Sequence, residues 1–226
     1  MRFKKGEKVN MKFAKALAGV KKLFAAEIIS IAAALLGVVV VILVAAANGN
    51  EGLIATGGTL GLVSGIALIV AFVITLVGLY QGGQDEVQVR YAFYFTILSV
   101  VLLVVSTVMS SIQNDVVATI GKYVGIASNV STVIALEYTL LGYSVIAKKK
   151  GSEEMYDKGR FLATCVLILF IVSIVLDLYS GIMKSNAQQW VKNTVTIAGI
   201  VAAVAELAVY VLVVIYYYKL IKLLKK

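Results

Sequence analysis

Two glutamates hold most of the chemistry available to this chain. Glu137 and Glu206 each sit near the middle of a long apolar run. An ionisable group at the centre of an apolar span is costly to keep, and such groups mark ion, proton or substrate pathways in membrane proteins. At about 1.5 Å of rise per helical residue, both carboxylates lie at similar depth. If they face one another, they can share a proton or hold a cation at the depth where transporter sites lie. Asn129, Tyr138 and Asp177 complete the candidate binding set. Lys122 is the group that decides between readings: if its ammonium reaches Glu137 or Asp177, the site becomes a structural ion pair. The plainer reading of Glu137 is a packed carboxyl held by Ser, Thr or Tyr hydroxyls.

Other chemistries lack their residues. The chain has no His and one Cys, Cys165, inside an apolar run. It therefore has no imidazole base and no Cys pair, and no metal or other cofactor is expected. No nucleophile, Walker or metal-ligand motif occurs, and no catalytic residue is assigned. The longest connection, KKKGSEEMYDKGR, is too short to hold a soluble catalytic domain, so an enzyme is not expected.

These carboxylates must be positioned by membrane helices. Of 226 residues, 61% are hydrophobic and 15% charged, with a mean hydropathy of +0.96. That composition belongs to a polytopic membrane protein. The expected fold is all-α, a bundle of six transmembrane helices at about 23–47, 53–80, 91–111, 123–147, 161–183 and 194–218. Residues 1–22 read as a basic amphipathic segment on the membrane surface, with Phe13, Leu17, Val20 and Phe24 on one face. Residues 219–226 read as a basic tail. Eighteen of the 21 Lys and Arg residues fall on one side of this topology, which places both termini in the cytoplasm. Glu27, beside Lys21 and Lys22, reads as part of an interfacial ion pair. The net charge of +9 reflects these span-end residues and contacts to anionic lipid, not nucleic-acid binding.

The fourth span is expected to be central. Gly125, Ser128, Thr132, Ala135, Thr139 and Gly142 recur on one helical face in steps of three and four. Such a seam lets helix backbones approach and hydrogen-bond in lipid. Lys122, Asn129, Glu137 and Ser144 form a second polar face. Shifting the chain by 64 residues lays Gly61, Ser64, Ala71, Thr75 and Gly78 of the second span on Gly125, Ser128, Ala135, Thr139 and Gly142. The expected organisation is three hairpins of one repeated type.

The function expected from these features is a small-molecule or cation transporter, or the substrate-binding subunit of one, that uses the midplane carboxylates. The alternative is a non-transporting scaffold or accessory subunit. It would bind a second copy or a partner subunit through the small-residue seams, and anionic lipid through its basic ends. The expected location is the cell membrane of a prokaryote.

Overall fold

The computed structural model describes residues 13–47, 50–182 and 189–225, with side chains at 177–195 outside that description. Six helices account for nearly all of it: α1 (Ala14–Ala46), α2 (Glu51–Gly82), α3 (Val87–Ser111), α4 (Asp115–Lys149), α5 (Glu153–Ile182) and α6 (Gln189–Lys225). Each is long and apolar enough to cross a membrane, and the described residues contain no strand. The chain is an integral membrane protein built as a six-helix bundle. The helices pack in chain order, and α6 returns to α1. In α4, 50% of the apolar window is buried within the chain, against 6–17% in the others, so α4 is the central helix.

The helices start and stop on recognisable signals. Asn50 accepts from the backbone N–H groups of Gly52 and Leu53, and Asn114 accepts likewise from Val116 and Val117. Each is an N-cap followed by an acid, Glu51 or Asp115, that suits the positive end of the helix dipole. After α4, Gly151 adopts φ 85°. Its N–H donates to Lys148 O and the Ser152 N–H to Ala147 O, a left-handed helix stop that glycine makes without strain.

The helices extend beyond the expected spans. At about 1.5 Å per residue, α1 and α4 reach roughly 50 Å, longer than a hydrocarbon core of about 30 Å. In α4 most of the excess, residues 115–122, lies at the far end; in α1 it lies at the basic end, where a well-packed core sits. Val20, Val89, Leu140, Tyr143, Ile146, Tyr217 and Leu220 are fully buried there. The face of Phe13 and Val20, expected on the membrane surface, joins this core as part of α1. Residues 14–22 thus continue into the first span without a break, while residues 1–12 lie outside the described residues. The expected tail likewise continues α6, with Leu220, Ile221 and Leu224 buried.

Polar clasps tie the loops at this end together. Asp85, between α2 and α3, accepts from the Ala16 N–H at 2.7 Å and so caps α1, whose own N-cap residue Phe13 has no side-chain acceptor. Lys22 donates to Gln81 at 2.7 Å, and Lys149 pairs with the buried Glu86 at 2.7 Å. Further along the spans, packing is pairwise. The Ser64 hydroxyl donates to Ala33 O across α2–α1, and the Ser128 hydroxyl to Ser99 O across α4–α3.

The α4 seam is used inside the chain. Gly142 lies against Val89 and Gln88, Gly78 against Gly19 and Leu23, and Gly125 against Ser106. Thr132 and Thr139 donate to carbonyls one turn back in their own helix, as hydroxyls in membrane helices commonly do.

Candidate functional site

A cavity of about 490 Å³ opens among α1, α4, α5 and α6, just beyond the buried core. Val133 and Leu136 of α4, Val166, Leu169 and Phe170 of α5, and Ala203, Leu207 and Val213 of α6 give it apolar walls. Its polar groups are Glu27, Glu206 and Tyr210. On α6 the lining residues recur at 203, 206, 210 and 213, the spacing of one helical face.

Among the described residues each carboxylate carries one hydroxyl donor from another helix. The Tyr210 hydroxyl donates to Glu27 Oε2 at 2.5 Å, joining α6 to α1. The Ser173 hydroxyl donates to Glu206 Oε1 at 2.5 Å, joining α5 to α6. Glu27 is half-buried and Glu206 exposed. No Lys or Arg among the described residues lines this cavity. A carboxylate can accept several hydrogen bonds, so each acid keeps acceptor capacity after its hydroxyl is counted.

A second cavity, of about 810 Å³, lies toward the far end among α3, α4 and α5. It is more polar, with Lys122, Asn129, Thr132, Ser106 and Ser110 among its lining residues. Val133 and Phe170 belong to both cavities. Ser173 lines the second while donating to Glu206 of the first. The Ser173–Glu206 hydrogen bond therefore stands at the boundary between them. From Lys122 to Leu136 the two linings follow one side of α4 for about 21 Å, most of the thickness of a hydrocarbon core.

The candidate residues divide as follows. Glu206 lines the first cavity, and Asn129 and Lys122 line the second. Glu137 is half-buried and lines neither. Leu136, its neighbour in α4, takes the cavity-facing position, and the acid that shares the cavity with Glu206 is Glu27. Tyr138 packs among aromatics, stacked on Phe95 at 5.8 Å and edge-on to Tyr91. The side chain of Asp177 lies outside the described residues. Lys122 forms no ion pair among the described residues. It is also about 22 Å along α4 from Glu137, too far for the pairing that would have made that acid structural.

Glu27, Tyr210 and Ser173 are the site residues that the sequence reading did not select. Glu27 was expected beside Lys22, but the Lys22 ammonium turns to Gln81 and leaves the acid to Tyr210. Glu27 and Tyr210 are 183 residues apart, and no local pattern joins them. Among the described residues no cluster of metal-ligating side chains occurs. Compared with known proteins, the chain matches no family model, no curated protein and no solved structure.

Proposed function

We propose that this chain is a membrane transporter, or the substrate-binding subunit of one, for small cations with an apolar body. The observation that carries the reading is a cavity of about 490 Å³ lined by two carboxylates and, among the described residues, no basic one. Ligand cavities of this size commonly combine apolar walls with a few placed polar groups. Here the walls, with the aromatic residues Phe170 and Tyr210 among them, suit a hydrocarbon or aromatic body, and Glu27 and Glu206 offset its charge. The second cavity extends toward the far end, with Glu206 and Ser173 between the two. In the proposed setting, the cell membrane of a prokaryote, the first cavity is nearer the cytoplasm. The placement of 18 of 21 basic residues supports that orientation.

The test is binding of tetraphenylphosphonium to the purified protein in detergent, because this cation crosses a bilayer unaided. Contacts to a charged group contribute about 1.5–3 kcal/mol each, so Glu206→Gln and Glu27→Gln should each weaken binding about tenfold or more. Binding unchanged in both variants would sink the carboxylate role.

The same reading takes α1–α2 and α3–α4 as two copies of one hairpin. A 64-residue shift relates the caps Asn50 and Asn114, the acids Glu51 and Asp115, and the donors Ser64 and Ser128. The third hairpin is bridged instead by Ser173 and Glu206, where the proposed site lies.

A second reading, assembly with another helix, has its own observation. A methyl group added at Gly58 or Gly65 would meet nothing within 4 Å, and one at Gly61 only Val40 at 3.9 Å. This glycine face of α2 is open, unlike the α4 seam, and suits a close helix neighbour. Gly61→Leu with Gly65→Leu should shift a cross-linked oligomer to monomer. An unchanged cross-linking pattern would leave this face to lipid.

A further inference from the structure

We infer that the groove between α5 and α6 at the basic end is a binding site for one anionic phospholipid. The groove has a volume of about 240 Å³ and is separate from the two cavities described above. Met155, Leu162 and the ring of Tyr216 are buried against the bundle and form its apolar floor. Phe161, Leu212 and Ile215 form its sides and are exposed. Lys158 from α5 and Lys219 from α6 complete the lining, and both are exposed.

The arrangement matches the two halves of a lipid. From Leu212 to Lys219 the α6 wall runs about 10 Å along the helix axis, apolar except at its lysine end. The groove thus presents a hydrocarbon surface toward the spans and two ammonium groups at the level of the bundle's basic end. An acyl chain can lie along the first while the headgroup phosphate meets the second. An apolar groove alone would take any lipid, and the two lysines supply the selectivity for charge.

The existing partner of Lys158 does not compete strongly. Lys158 pairs with Glu154 one turn away on the same helix, and the Glu154 side chain is 77% exposed. Exposed pairs of this kind contribute little, so the Lys158 ammonium can turn to a phosphate at small cost. Lys219 forms no ion pair among the described residues. Other basic groups nearby are engaged elsewhere: Lys222 lies over the Tyr218 ring, and Lys148 and Arg160 over Tyr156.

Native mass spectrometry of the full chain tests the site. The protein is titrated with phosphatidylglycerol and, separately, with phosphatidylcholine of the same acyl chains. The expected result is one tightly bound phosphatidylglycerol per chain, favoured over phosphatidylcholine by on the order of tenfold, as two lysines near a membrane surface can provide. Lys158→Ser with Lys219→Ser should abolish that preference. Lys222→Ser with Lys225→Ser, outside the groove, should retain it. Ile215→Trp, which fills the groove, should weaken binding of both lipids. All four lysines are on the surface, so loss of the fold is not expected to obscure the comparison. Preference retained in the Lys158/Lys219 variant overturns the assignment. Displacement of the lipid by millimolar inorganic phosphate also overturns it, because the site would then recognise the anion without its chains.

Discussion

Gly19→Ala should lower the melting temperature of the protein in detergent by on the order of 10 °C. A methyl group at this position would stand 2.6 Å from Gly78 O, 2.7 Å from the Tyr143 hydroxyl and 2.8 Å from the Gly82 nitrogen. Two of these atoms are backbone, so no rotamer change relieves the clash, and α1 must move away from α2. Overpacking of a tight core costs about 1–3 kcal/mol, and the upper end applies where backbone blocks the way. For a chain of this size each kcal/mol lowers the midpoint by roughly 2–4 °C. Gly58→Ala is the control: the added methyl group meets nothing within 4 Å. Alanine also suits a helix interior better than glycine by about 1 kcal/mol, so that midpoint should hold or rise. A thermal scan of both variants is sufficient. Equal midpoints would mean that α1 and α2 do not cross at Gly19.

The Lys149–Glu86 pair gives the second large effect. Glu86 lies in the α2–α3 connection with its side chain only 7% exposed, and Lys149 reaches it at 2.7 Å from the end of α4. Removing one member of a buried pair leaves an uncompensated charge and costs about 3–5 kcal/mol. Lys149 is 43% exposed, so solvent screens part of this. Lys149→Met should therefore destabilise by about 1–3 kcal/mol. Adding Glu86→Gln should recover most of the loss, because the stranded charge is then gone. A double-mutant cycle on thermal midpoints measures the coupling. If the two losses simply add, the pair does not tie these loops together.

The number of helices was legible because hydropathy over about 20 residues is a strong signal. The helix ends were less so. Lys219, Lys222 and Lys225 lower the local hydropathy enough to make 219–226 read as a tail. Yet Leu220, Ile221 and Leu224 between them are buried, because a helix can place apolar residues on one face and lysines on another. The site shows a different limit. The depth of a carboxylate such as Glu137 or Glu206 within its span can be counted from the sequence. The direction in which each points depends on how the helices rotate against one another. Leu136, not Glu137, faces the cavity, and Glu27 from the first helix meets Tyr210 of the last. That pairing arises only once α6 closes the ring onto α1. The central place of α4, by contrast, could be read from its seam of small residues, which the neighbouring helices do occupy.

The uneven distribution of packing along the spans has a mechanical consequence. Large side chains interlock at the basic end, with Tyr143 and Tyr217 in edge contact at 6.3 Å. Toward the far end, helix neighbours meet through small groups such as the Ser64 and Ser128 hydroxyls, and large apolar side chains such as Leu62, Ile66, Val104 and Ile200 are exposed. Six rods clamped at one end behave like the tines of a fork: stiffness is greatest at the clamp, and displacement grows with distance from it. Amide hydrogens in the clamped turns should therefore exchange through rare, concerted openings, and those at the free ends through frequent, independent ones.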